Sequence, residues 1–225
     1  MPANKALKLA GRIERARLSD SVYETLLEAI LSGRLASGTI VSEVSLAKQL
    51  DVSRTPVHDA LRQLAKDGLV EQRAGRRAVI ATFSKEDVYD IFEMRKLLET
   101  EAARRAATRI DRTTLANLRA VADDLASDRK AAHWMTKWID FDEQFHDAIA
   151  KAAGSQRLWQ DIVRYRLLHR GFNKMSTNVD SLQQALAEHI GILDALEKRD
   201  PEAAASAMLT HVSEWQAYFV NHFPR

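Results

Sequence analysis

Residues 42–80 constrain what this chain can fold into more than any other stretch. Ser42 opens a short amphipathic segment with Val44, Leu46, Ala47 and Leu50 on one stripe and Glu43 in the acid-favoured first turn. Asp51-Val52 leaves room only for a tight turn. Ser53 then stands where an N-cap belongs, and Pro56 falls in a first turn, where its missing N–H would be unpaired anyway. This second segment runs to about Asp67 with Val57, Ala60, Leu61 and Leu64 inward, and Gly68 stops it. Two short runs of strand type follow, 69–73 and 77–81, joined by Ala74-Gly75-Arg76. Upstream, Ser19 and Asp20 offer a cap for another helix. Val22, Leu26, Leu27 and Ile30 recur there at helical spacing, and Gly33 suits a left-handed C-cap. A helix, two helices joined by a short turn, and a basic hairpin make a winged helix-turn-helix, expected over residues 18–81.

In that layout the second helix of the pair enters the DNA major groove with its N-terminal residues forward. Those residues are Ser53, Arg54 and Thr55, followed on the same helix by His58 and Arg62. Arg54 can donate a bidentate pair to guanine O6 and N7, and the hydroxyls can bond phosphates or bases. The hairpin supplies Arg73, Arg76 and Arg77, with Gly75 allowing a close approach to the minor groove. Any one of these arginines alone reads as a solvated surface charge; their ordered combination carries the DNA-binding expectation. Charge agrees. Residues 1–80 hold 13 Lys and Arg against 9 Asp and Glu, whereas residues 81–225 hold 20 against 22. Residues 1–17, with Lys5, Lys8, Arg12, Arg15 and Arg17 and little hydrophobic periodicity, are expected to form a flexible basic arm.

The rest of the chain reads as helix after helix. Only 8 glycines and 4 prolines occur in 225 residues, which disfavours sandwiches, barrels and glycine-rich nucleotide folds. Amphipathic spans are expected at 84–108, 111–127, 131–153, 155–175, 179–198 and 200–221, the first capped by Ser84 with Glu86 and Asp87 behind it. The expected fold class is therefore mainly α: a winged helix-turn-helix followed by an all-α antiparallel six-helix bundle over 84–225. No apolar run approaches the ~18 residues of a membrane span, and the N-terminal stretch lacks the apolar core of a signal peptide. With no cysteine, the expected location is the cytoplasm, and any metal must be held by histidine and carboxylate.

Such a set exists. Asp142 and His146 are four apart, so a helix places both on one face. His189 sits between Leu186 and Leu193 on an apolar stripe, and His211 between Met208 and Trp215 on another. One histidine on an apolar face is ordinary core. Three of them with an aspartate suit a divalent metal, zinc foremost, with nickel or manganese as alternatives, and leave positions for water or ligand oxygens. A small organic acid fits such a site, with Arg166, Arg170 and Asn173 as candidate partners on the helix that should line the bundle. Surface or dimer salt bridges explain Arg166 and Arg170 equally well. His133 and His169 read as ordinary, and Trp134, Trp138 and Phe145 as core.

Two sets of residues carry a resemblance. Ala29-Ile30, Gly33-Arg34-Leu35, Gly38-Thr39, Glu43, Leu46-Ala47, Leu50, the string Val52 to Val57, Ala60-Leu61, Leu64 and Asp67-Gly68-Leu69-Val70 resemble the GntR family of bacterial transcription regulators. Met94-Arg95, Leu98-Glu99, Phe141-Asp142, Phe145-His146, Glu188-His189, Ala195-Leu196, Asp200, Met208 and His211 are similar to the FCD ligand-binding domain of its FadR-type branch, six helices matching the VanR subgroup. The resemblance implies DNA binding through Arg54, Thr55 and the wing. It also implies a divalent metal on Asp142, His146, His189 and His211, and an acid effector near Arg95. Where this chain has His58 the family usually has arginine, and neutral imidazole is a weaker, pH-dependent partner. The resulting expectation is a metal-containing, effector-responsive repressor acting as a homodimer on a pseudo-palindromic operator. A metal-dependent enzyme and a purely structural metal are the rivals. No nucleophile–base pair accompanies the metal set, which counts against the enzyme.

Overall fold

The computed structural model describes residues 3–73, 77–128, 133–172 and 179–223. The chain divides after Phe83 into two compact units.

In the first unit, α1 spans Ala3–Leu31, β1 Ile40–Ser42, α2 Glu43–Gln49, α3 Arg54–Lys66, β2 Val70–Arg73 and β3 Arg77–Ile80. Two expectations need correcting. The helix does not start at a Ser19-Asp20 cap; it is continuous from Ala3. Residues 3–18 contain no proline and one glycine, and are rich in Ala, Leu, Lys and Arg, so propensity extends the helix upstream. The hairpin also gains a third strand. β1 pairs with β3, with Ile40 opposite Val79 and Ser42 opposite Arg77, giving the order β1-β3-β2. Three residues are too few for alternation to be visible in sequence.

Buried Val22, Leu26 and Ile30 form the apolar stripe of α1, which packs against α3. Tyr23 Oη donates to Asp67 Oδ2 at 2.8 Å and fixes the end of α3 to α1. Val57, Leu64, Leu69 and Ile80 are at most 2% exposed, and full burial of such a side chain is worth about 1.5–3 kcal/mol. Gly33, with φ 73°, ends α1 as expected.

The second unit is an all-helical bundle: α4 Lys85–Arg109, α5 Arg112–Ser127, α6 Trp134–Ala152, α7 Gln156–Phe172, α8 Val179–Glu197 and α9 Pro201–His222. All six lie within three residues of their expected ends, because local chemistry sets them. Ser84 and Asp87 make a reciprocal capping box at 3.0 and 2.8 Å. Asp111 caps α5, and Asp200 caps α9 with Pro201 in the first turn. α4 packs most extensively on α9, where Ala102, Ala103, Ala106 and Ala107 of α4 and Ala204 and Ala205 of α9 are all buried. Phe92 stacks on Phe219 at 5.7 Å, and Trp134 on Trp138 at 6.0 Å, so the tryptophans are core as expected.

Candidate metal centre and nucleic-acid interface

The bundle interior brings together three histidines from three helices. His146 comes from α6, His189 from α8 and His211 from α9, and all are buried. His189 Nε2 lies 3.2 Å from His146 Nε2 and 3.3 Å from His211 Nε2. Asp142 Oδ1 stands 3.6 Å from Nε2 of both His146 and His189. The spacing of Asp142 and His146 on one helix face thus leads to a shared centre.

Carboxylates hold two of the rings from behind. His146 Nδ1 meets Glu99 Oε2 of α4 at 2.5 Å, and His211 Nδ1 meets Glu188 Oε2 of α8 at 2.7 Å. Glu188 accepts the proton of His211 Nδ1, and the negative Glu99 carboxylate against His146 Nδ1 favours the proton there without an aligned hydrogen bond, so Nε2 of both rings is left as a lone pair. His189 offers at most one Nε2 proton, which cannot satisfy both neighbours. Three buried nitrogens therefore converge with too few protons among them. A cation resolves this, because it turns each lone pair into a ligand. Tetrahedral ligands ~2.0–2.1 Å from a common zinc ion are ~3.3–3.4 Å apart, close to the spacing here. The donor set fits a divalent ion of this kind.

Electrostatics keep the donors in their ligating forms. Burial, reinforced by the Arg166 guanidinium, pushes His146 down to about 4 despite Glu99. Burial and the neighbouring His211 and His146 also hold His189 well below the ordinary histidine range. For Asp142, burial works toward the neutral acid, but Arg166, His146 and His189 outweigh it, so its carboxyl lies well below the usual range. Arg95 and His146 do the same for Glu99 against its burial.

The candidate effector arginines already have partners. Arg95 is buried, donates from Nε to Glu99 Oε1 at 2.7 Å and lies over the Phe92 ring at 5.0 Å. Arg166 is buried and donates to Asp142 Oδ2 at 2.6 Å, so it is neither a surface pair nor an isolated anion receptor. Arg170 pairs with Glu143, and with Arg166 it lines a hollow of about 300 Å³ between α6 and α7. Asn173 lies outside the described residues. His169, read as ordinary from sequence, is buried with its ring edge-on to Phe92 at 5.2 Å and Phe219 at 5.0 Å. Burial, then Arg95 and Arg166, depress its protonation. Sequence reasoning missed the ring-holding roles of Glu99 and Glu188. The available signals were the Arg95/Glu99 spacing of four and the adjacency of Glu188 to His189.

In the first unit, α3 buries Pro56, Val57, Ala60, Leu61 and Leu64 and exposes Arg54, Thr55, His58 and Arg62. Arg54, His58 and Arg62 recur every four residues and form one stripe. Asp51, at φ 52°, turns the chain between α2 and α3 in a conformation Asp tolerates better than most residues. Ser53 occupies the N-cap position but makes no side-chain cap bond. A cap oxygen accepts from the second or third helical N–H, and the third residue is Pro56. The exposed Ser53 hydroxyl and the first turn of α3 therefore face outward together. Arg77 is exposed on β3, and Arg73 ends β2 opposite it. Gly75 and Arg76 lie outside the described residues.

A winged helix-turn-helix with an exposed cationic helix face, followed by a helical bundle with a buried histidine cluster, defines the two-unit architecture of a DNA-binding regulator. Residues 18–80 match the family described as "Bacterial regulatory proteins, gntR family", and residues 90–214 match the FCD domain. The chain belongs to the GntR family of transcriptional regulators carrying a C-terminal FCD domain. It is 28% identical over 200 residues to the "HTH-type transcriptional repressor RspR" of Escherichia coli (strain K12), covering 88% of this chain and 86% of the relative. It is 28% identical over 210 residues to a "Probable D-xylose utilization operon transcriptional repressor" of Paenarthrobacter nicotinovorans, covering 91% and 89%. The fold is shared with E. coli McbR/YncC, at TM-score 0.77 and 20% identity over 92% of this chain and 99% of that one. A GntR regulator from Rhodococcus sp. RHA1 matches at TM-score 0.71 and 24% identity, with the same coverage. No helix among the described residues is long and apolar enough to cross a membrane.

Proposed function

We propose that this regulator is a repressor, acting as a homodimer on a pseudo-palindromic operator, whose grip on DNA is set by a small organic acid bound beside a divalent metal in the bundle. The observation that carries the metal reading is the convergence of three buried Nε2 atoms, two of them lone pairs held by Glu99 and Glu188. Zinc suits the mixed nitrogen–oxygen set best, and nickel or manganese could use the same donors. His146, His189, His211 and Asp142 would hold the ion. When bound, it supplies positive charge and open positions for oxygen donors.

Charge balance supports an anionic effector. Glu99, Glu188 and Asp142 bring three negative charges around neutral imidazoles, and Arg95 and Arg166 bring two positive ones. A divalent ion leaves this interior with one uncompensated positive charge, which a carboxylate neutralises. Arg95 and Arg166 thus act first by keeping Glu99 and Asp142 ionised. The repressor reading draws on the two relatives named as repressors. Two half-sites on a symmetric operator would provide the affinity that one small winged unit lacks. Ser53, Arg54, Thr55, His58, Arg62 and the wing arginines would contact that DNA.

The test is a panel of small organic acids added to metal-retaining protein on operator DNA. Release of DNA without turnover is the expected result. If no acid releases DNA or raises the melting temperature, the metal is structural only; turnover of an acid would establish an enzyme instead.

A further inference from the structure

The exposed stripe of α3 that begins at Arg54 reaches His58 one turn later. The His58 side chain is 52% exposed, yet its Nδ1 lies 2.8 Å from Oε1 of Glu43, whose side chain is only 10% exposed. Glu43 is the first residue of α2, so one helix of the motif fixes a side chain on the reading face of the other. A carboxylate at Nδ1 accepts its proton and sets the tautomer. Nε2, across the ring, has no partner among the described residues.

The two charge states of this pair present different faces to DNA. With neutral imidazole, Nε2 is an acceptor and the pair keeps the full negative charge of Glu43, beside a polyanion. With imidazolium, the pair is neutral overall and Nε2 becomes a donor, able to reach guanine N7 or O6. We propose that Glu43 and His58 form a proton-dependent base-reading pair, in which operator DNA selects the imidazolium bridged between the Glu43 carboxylate and a guanine acceptor. The proposal rests on the DNA-binding reading of α3. Linkage then requires operator binding to take up a proton.

Other charged or titratable side chains described on the elements packed against α3 are Arg17, Asp20, Tyr23, Glu24 and Glu28 of α1, Lys48 of α2, and Glu71 of β2. Tyr23 is engaged with Asp67, nine residues and half a helical turn round from His58. On α3 itself, Arg54 and Arg62 flank His58 and Asp59 follows it, with Asp59 accepting from Ser19. Among the described residues Glu43 is the one hydrogen-bond or ion-pair partner of the ring.

The probe is a duplex enriched by the full-length protein from a pool of random DNA. Its affinity is measured at about pH 6 and about pH 8.5, either side of the ordinary histidine range. The wild type should bind about tenfold more weakly per half-site at the higher pH, the equivalent of one charge-assisted contact. His58→Arg, permanently charged, should hold its affinity constant, and Glu43→Gln, which keeps the acceptor but not the charge, should flatten the change. Circular dichroism checks that each variant is folded. Wild-type and His58→Arg curves that coincide would overturn the pair, even where Arg54→Ala weakens binding at both pH values. Arg54→Ala binding like the wild type, or no enriched duplex at all, would overturn the DNA-reading face and the pair with it.

Discussion

The three histidines of the bundle are held in place by different means. Carboxylates orient His146 and His211 through Nδ1, whereas His189 is clamped by rings. It stacks on Phe145 at 4.2 Å and on Trp138 at 5.2 Å, with Phe141 edge-on at 5.7 Å. Its Nδ1 has no hydrogen-bond partner among the described residues. Glu99→Gln and Glu188→Gln should therefore each weaken metal binding ~10–100-fold, as losing a carboxylate behind a ligating imidazole does. Chelator competition measures this, and unchanged affinity in both variants would remove the supporting role assigned to them. At this scale the sequence is informative only within one helix. Asp142 and His146 are visible as a pair because helical geometry fixes their spacing. The Glu99–His146 contact joins α4 to α6, and nothing local in either segment encodes it. The Glu43–His58 contact is hidden in the same way.

At the scale of elements, legibility follows the chemistry of the ends. Ser84, Asp111 and Asp200-Pro201 announce helix starts because the cap and its partner lie within four residues. β1 is too short to show a period, and Ser19-Asp20 suggests a cap because both side chains can accept free N–H groups at a helix start, yet an exposed position inside a long helix accommodates them too. Gly154 shows what an end demands. It follows α6 at φ 73°, and a Cβ there would lie 2.8 Å from Arg109 Nη1. That guanidinium also donates to Ala153 O, tying the turn between α6 and α7 to the end of α4. Gly154→Ala should cost about 1–2 kcal/mol from the left-handed backbone alone, and more if Arg109 is displaced. Thermal melts should show a drop of several degrees; an unchanged midpoint would mean that the turn relaxes freely.

The whole molecule should respond to acid in a defined direction. In the folded state His146 titrates only at about 4, and His189 and His169 lie well below their ordinary range. The unfolded chain takes up protons near the ordinary histidine value of ~6.5, so it gains stability over the fold as pH falls from there. His146 alone accounts for about 3 kcal/mol of this loss, complete near pH 4. Glu99 and Asp142, held low in the fold, add a loss of the same sign below the ordinary carboxylate range. Metal-free protein should therefore melt at progressively lower temperature from neutrality to about pH 4. With metal bound the decline should steepen, because protons then compete for Nε2. A melting temperature independent of pH across that window would show that these imidazoles are not buried neutral.

The most direct test is elemental analysis of full-length protein purified without chelators and offered zinc, nickel and manganese. The donor set predicts about one tightly held divalent ion per chain in the wild type and its loss in His189→Ala. A wild-type chain that retains none of the three would contradict the metal centre, and with it the proposed route by which an acid reaches the DNA-binding unit.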